Sequence, residues 1–356
     1  MIQQFKKIYS FAVLVILFSA CKKDIDPVIV LIPSQGAQVE LNGLIGNEPG
    51  SAAGKSVFLD LSANKTTAIA RASWDLGFYC GSDFRVILNN TAGAGAKVLA
   101  KSNLSDVAAA DTIGLTLAFD PFNPLPTDLA YYDDIAGSLN GTVIPEISSN
   151  ENSNKVIIVN RGIGGNIASR PWIKMRVLKN TSGGYTLQYA GITETSFKTI
   201  QVPKDAAYHF TFVSFDTGIT EGQPEKDKWD LQWSYSVFQA NFGAGLVPYN
   251  YSDVIAVNHL SNVMVKEKIY ADETVAAAAY SAFNKDSATA AALVSGRWSI
   301  GSNWRSTQPA TGARKDRFYL IRDASGNYYK LKCLAMGVGA DGGTRGKPEF
   351  KYELIQ

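Results

Sequence analysis

The sequence predicts a mostly β, β-rich α+β fold, built from two tandem antiparallel β domains with short helices in their inserts. Three observations predict it. The first is alternation: Trp229, Leu231, Trp233, Tyr235 and Val237 alternate with Asp230, Gln232, Ser234 and Ser236, the period of two that marks a strand with one buried face. Trp74, Leu76, Phe78 and Cys80 do the same. The second is recurrence, because Trp-Asp-Leu, Gly-Ala-Gly and Asn-x-Ser-Asp-Val appear in the same order within 74–107 and within 229–254. The third is that the recurrence extends outward. Val57 precedes Trp74 by the same 17 residues that separate Phe212 from Trp229, so SVFLDLS and TFVSFDT read as one strand seen twice. RVLKNTSGG at 176–184 likewise echoes YLIRDASGN at 319–327, each a strand running into a Ser-Gly turn. A period of about 150 residues is domain-sized rather than solenoid-sized.

Taken in order, residues 1–20 form a lipoprotein-type signal peptide. Lys6 and Lys7 precede an apolar run from Ile8 to Phe18, and Phe18-Ser19-Ala20-Cys21 closes it. That run is too short and wrongly flanked for a spanning helix. A small residue before a cysteine at such a point resembles a bacterial lipobox, which makes Cys21 the lipidated first residue of the mature chain. The charged Lys22-Lys23-Asp24-Ile25-Asp26 that follows points to the outer membrane and its outer face. Residues 21–37 read as a tether. Repeat one then fills 38–195 and carries a long polar, Pro-containing excursion at 119–154. Repeat two fills 196–356, and its Ala-rich insert at 273–295 predicts one or two short helices. The strand at 197–202 closes one domain and opens the next.

Apolar residues make up 46% of the 356, enough for two ordinary cores. Loss of residues 1–20 removes Lys6 and Lys7 and no acid, so the formal charge falls from +2 to 0. No footprint for nucleic acid or an anionic membrane is left. With Cys21 acylated, Cys80 and Cys333 remain, one in each repeat, and they read as buried free thiols rather than as a bridge. A chain bound for an oxidising compartment without a disulfide framework depends on its cores.

Catalytic signatures are missing: there are two histidines, and no HExxH, CxxC, Gly-x-Ser-x-Gly or dinucleotide glycine spacing. The chain does not read as an enzyme. Gly50-Ser51-Ala52-Ala53-Gly54-Lys55-Ser56 is one residue short of a P-loop and precedes a strand where a P-loop follows one, so it reads as a surface loop. His209 shares a strand face with Thr211 and is expected to face solvent. Counting in twos from Asp253 sets Ile255, Val257 and His259 on one side of a strand, with Met264 five residues further on. His259 is then either a partly buried, hydrogen-bonded histidine or a metal ligand whose partner the sequence does not place. In the loop 301–314, Trp304 stands among Asn303, Arg305 and Arg314. Either Trp304 stacks on a flat ligand whose carboxylates the arginines pair, or it plugs the top of the core.

The stretch from Arg317 to Ile355, taken with Trp229-Asp230-Leu231-Gln232-Trp233 upstream, resembles the HmuY family of haem-binding bacterial surface lipoproteins. The motif that carries the resemblance is an aromatic strand, a Ser-Gly-Asn turn, Tyr-Tyr-Lys-Leu-Lys, a glycine-rich link and Gly-Lys-Pro-Glu-Phe-x-Tyr. It covers repeat two well. In repeat one, Trp74-Asp75-Leu76 and Ser182-Gly183-Gly184 remain, but the terminal motif is reduced to Glu194-Thr195-Ser196-Phe197.

The resemblance implies haem as the cofactor, capture at the cell surface and delivery to an outer-membrane TonB-dependent receptor. It also implies one β-rich domain per family unit, so the tandem arrangement departs from the family. The best-known members hold iron between two histidines, one before the strand at Trp298 and one in the loop after it, and relatives use methionines. Here 266–294 holds neither residue type, and Asn303 and Trp304 stand at the second place. The implied site therefore packs a porphyrin with Trp304 and Asn303 and pairs its propionates with Arg305 and Arg314, leaving His259 and Met264 as the only route to the iron. Two functions stay open: a surface lipoprotein that binds haem or a related porphyrin for uptake, and a non-haem binding or scaffold lipoprotein that recognises a glycan or a protein.

Overall fold

The computed structural model describes residues 32–243 and 245–355. The signal segment, Cys21 and most of the tether lie outside the described residues. The first half of the chain contributes β1 (Gly36–Glu40), β2 (Lys55–Asp60), β3 (Lys65–Ala70), β4 (Leu76–Tyr79), β5 (Val86–Leu88), β6 (Gly95–Val98), β7 (Ile157–Asn160), β8 (Ile173–Lys179) and β9 (Tyr185–Gly191). The second contributes β10 (Lys198–Val202), β11 (Phe210–Ser214), β12 (Gly218–Thr220), β13 (Leu231–Asn241), β14 (Leu246–Val257), β15 (Met264–Ile269), the helices α1 (Glu273–Ala282) and α2 (Lys285–Thr289), then β16 (Arg305–Ser306), β17 (Gly312–Ala313), β18 (Arg317–Arg322), β19 (Tyr328–Ala335) and β20 (Glu349–Leu354). They form two five-stranded sheets, β1-β20-β19-β18-β15 and β10-β9-β8-β7-β6, and two four-stranded sheets, β14-β13-β2-β3 and β12-β11-β4-β5, beside the β16-β17 hairpin. The chain is mostly β, with its helices in the insert whose alanine content predicts them.

Each five-stranded sheet packs on one four-stranded sheet, and the two bodies that result are not the two halves of the sequence. One core gathers Leu41, Val57 and Leu59 with Trp233, Tyr319 and Phe350. The other runs from Leu76 and Phe78 to Val213 and Phe215. The division expected at 195/196 is thereby redrawn. Body A is β1 to β3 with β13 to β20, and body B is β4 to β12. Residues from Pro33 onward make one compact unit. Both halves supply the same nine-strand plan, yet the leading three strands of each half pack with the following strands of the other.

Matched contacts enforce this exchange. Leu231 and Trp233 pair with Leu59 and Val57, while Leu76 and Phe78 pair with Val213 and Thr211. Trp229 meets Phe58 edge-on at 5.2 Å and Trp74 meets Phe212 at 4.8 Å. Asp230 accepts from the Leu61 amide at 2.8 Å and Asp75 from that of Phe215 at 2.9 Å. Asn258 and Asn89 donate to the carbonyls of Trp229 and Trp74 at 2.8 and 2.7 Å. Trp74 and Trp229 therefore hold equivalent places, each on a strand borrowed from the other half.

These contacts correct several details of the repeat. Phe58, not Val57, is the counterpart of Phe212, and a slip of one residue in a strand moves a side chain to the opposite face. Of the three ordered matches only Trp-Asp-Leu is structural. Gly95 opens β6, whereas Gly243 and Gly245 lie between β13 and β14. Asn-x-Ser-Asp-Val belongs to a 3-10 turn at Leu104–Asp106 in one half and to β14 in the other. By sheet position β8 matches β19 and β7 matches β18, so RVLKN and YLIRD are not equivalent strands. Ser-Gly turns recur wherever a hairpin needs a positive φ, as at Gly183 and Gly326, and their recurrence does not fix a register.

β13 also departs from a one-faced strand. Asp230, Gln232, Ser234 and Ser236 are all buried: Asp230 lies within body A, where it accepts from the Leu61 amide, while Gln232, Ser234 and Ser236 face body B, where Asn90 donates to the Ser236 hydroxyl at 2.8 Å and the Val237 amide donates to the Asn90 carbonyl at 3.0 Å. Between β3 and β4 the chain crosses from one body to the other at Arg71, which is fully buried. Its guanidinium donates to the carbonyls of Ala53, Thr91, Gly164 and Gly165 and lies 4.8 Å from the Tyr235 ring centre. Cys333 is a buried free thiol, pushed up in pKa by burial. Cys80 is free but only half-buried, with its sulfur 3.4 Å from the Thr211 hydroxyl.

Candidate functional site

Two concave regions carry polar chemistry. The first is a cleft of about 850 Å³, counting its mouth, where the bodies meet. Body B supplies Ile87, Leu139, His209 and Phe210, and body A supplies Trp229, Gln232, His259 and Arg297. Both histidines of the chain thus reach one cleft from opposite sides. His209 is half-buried, with Nε2 2.8 Å from the Ser261 hydroxyl; burial, with Lys226 and His259 close by, draws its pKa down to about 4. Its solvent-facing assignment is corrected here, since the face it shares with Thr211 is partly covered by the other body. His259 has Nδ1 3.4 Å from the Val257 carbonyl, and burial together with Arg297 lowers its pKa. Both imidazoles are therefore neutral at pH 7. Asp133 accepts from the Leu88 and Val143 amides at 2.7 and 2.9 Å, and burial raises its carboxyl to about 6.

The second region is a groove beside α1. Asp272 caps that helix by accepting from the Val275 amide at 2.9 Å, and the small Ala276 and Ala277 leave room against Tyr280, Phe318 and Lys332. The groove takes in about 630 Å³, counting its mouth, and continues into an open depression edged by Arg314 and Lys315. Arg317 is held by Glu267 and Asp316. Arg314, Lys315 and Lys332 make no ion pair among the described residues, and Lys332 sits 4.9 Å from the Tyr280 ring centre.

The residues singled out in the sequence do not converge. Trp304 is fully buried in the core of body A; it donates to the Asp253 carbonyl at 3.0 Å and packs 5.3 Å from Phe350. It plugs the core, which removes the stacking role. Arg305 is 8% exposed beneath the Tyr251 ring at 5.3 Å, too deep to meet a ligand's carboxylates. Asn303 is exposed in the turn after Ile300 and Arg314 is exposed on the rim of the α1 groove. Met264 faces Arg322, whose Nη1 is 3.6 Å from its sulfur, and does not line the cleft that holds His259. No group of three or more His, Cys, Asp or Glu side chains able to hold a metal occurs among the described residues. Sequence reasoning missed Arg297, Gln232, Lys315 and Lys332. Only the polar face of the β13 alternation hinted at any of them.

Two copies of one nine-stranded sandwich, with a groove edged by Arg314, Lys315, Lys332 and Glu273 on one and a largely apolar cleft carrying a few polar groups between them, make a mostly β protein. The HmuY protein family model matches residues 175–352, half of the chain and the whole of its second repeat up to β20, and the chain belongs to the HmuY family. No curated protein and no solved structure matches it.

Proposed function

We propose that the protein is a surface lipoprotein, acylated at Cys21 on the outer membrane, that captures haem or a related porphyrin in the α1 groove and passes it to a TonB-dependent receptor. The observation that carries this reading is the set of unpaired cations, Arg314, Lys315 and Lys332, around an apolar wall inside the family-matched stretch. A flat ring with two carboxylates answers both features. Histidine and methionine are absent from the groove lining, so its residues fit the ring and its acid groups but not the iron. Haemin and iron-free protoporphyrin should then bind with similar affinity, and the paired change Arg314→Ala with Lys332→Ala should weaken both about tenfold. Absorbance titration checks this. A sharp low-spin spectrum lost in His259→Ala would overturn the groove and return iron ligation to the cleft.

A second reading, a non-haem lipoprotein that recognises a glycan, is favoured by one feature of the cleft: its buried amide without a partner.

A further inference from the structure

Gln232, on the face of β13 that meets body B, is 8% exposed and makes no side-chain hydrogen bond among the described residues. Gln223 and the Arg297 guanidinium border the same cleft and make none either. Gln232 opens its amide onto the cleft, and Gln223 and Arg297 are half-buried at its edge; polar groups that converge on one apolar-walled cavity without protein partners are the means by which such a cavity orients a small ligand.

The chemistry of the lining narrows the partner. The charge of Arg297 faces Asp133 and Asp134, whose oxygens already accept from the amides of Leu88, Val143 and Ser138. The cleft therefore has no uncompensated positive charge to attract an anion. Two carboxamides both donate and accept, while a guanidinium only donates. A molecule that meets all three without carrying charge is one with several hydroxyls. The remaining wall offers Phe210, Trp229 and Leu260, apolar surface that suits the C–H face of a sugar ring.

We infer that the cleft between the two bodies is a binding site for a neutral, monosaccharide-sized polyol, oriented by Gln232, Gln223 and Arg297. The inference deepens the glycan reading and is independent of the α1 groove. Its test is titration of the whole mature protein with D-glucose, D-galactose and N-acetyl-D-glucosamine, followed by tryptophan fluorescence and by ligand-observed NMR, in wild type and in Gln232→Leu. At least one sugar should give a saturable response in wild type, and Gln232→Leu should weaken it about tenfold or more. Because the leucine removes an amide that has no partner, its melting temperature should be unchanged or higher, and its haemin titration should match wild type. No saturable response to any of the three sugars, or an equal response in Gln232→Leu, overturns the site. Loss of haemin binding in both proteins alongside a retained sugar response overturns only the porphyrin groove.

Discussion

Asp230→Asn is expected to stabilise the protein at neutral pH, because the two halves treat their equivalent aspartates differently. Asp75 is paired with Arg161 at 2.8 Å and with Arg170 at 3.1 Å. Asp230 is 4% exposed, accepts from the Leu61 amide and has no cation within ion-pair distance among the described residues. Burial, with Asp323 and Asp60 nearby, lifts its carboxyl from 3.8 to about 8 against the pull of the Leu61 amide. A folded-state pKa above the unfolded value gives stability that is fully present below the unfolded pKa and lost as pH rises through the folded one. Between pH 4 and pH 7 that loss amounts to roughly 1.4 kcal/mol per unit, or about 4 kcal/mol in all. Asparagine keeps an acceptor for Leu61 and cannot ionise, but its amide N–H groups need acceptors of their own, so the net gain at pH 7 should be on the order of 2 kcal/mol. Urea unfolding of both proteins at pH 4, 5, 6, 7 and 8 measures it. His209 and Asp133 titrate in the same window, with opposite signs, but they do so equally in both proteins and cancel in the difference. The gap should favour wild type by about 2 kcal/mol at pH 4, cross zero between pH 5 and pH 6, and favour Asp230→Asn increasingly up to pH 8. A gap independent of pH, or an Asp230→Asn protein less stable than wild type at pH 8, refutes the reasoning.

The strand exchange makes opposite demands on two fragments: residues 73–225, a contiguous body B, should melt cooperatively by circular dichroism, whereas 196–356 should not, since it lacks Val57, Leu59 and Leu61 from its core. Cooperative melting of 196–356 would show that the halves close on themselves. Arg71→Met should cost on the order of 3–5 kcal/mol, because it leaves carbonyls of both bodies unpaired, and it should split calorimetric unfolding into two transitions; a single unshifted transition would contradict that. Labelled fatty acid should enter the wild type and not Cys21→Ala, and equal labelling of the two would remove the lipid anchor from the proposal.

The tryptophan-led strands were legible because their signals are local. Trp74 and Trp229 open alternating runs, and each following aspartate holds the incoming strand by a backbone amide. The exchange was not legible, because the residues that specify it are the same in both halves. Phe58 and Phe212 fit either tryptophan, and a strand's pattern states which face it buries without naming which of two equivalent partners covers it. The site residues were misread for a related reason. Trp304 beside two arginines has the composition of an exposed platform, and only the fold of β16 and β17 over body A sends it into the core. His209 and Gln232 sit on faces whose polarity reads as solvent exposure, yet polarity alone does not separate a wet surface from a polar seam between two sandwiches. That seam exists only because the unit is doubled and its leading strands are exchanged. A single nine-stranded unit would leave the Gln232 face in water, where an unpaired amide costs nothing and selects nothing. Duplication is therefore what turns a strand face that would meet solvent into the wall of a cavity, with the Gln232 amide opening onto it.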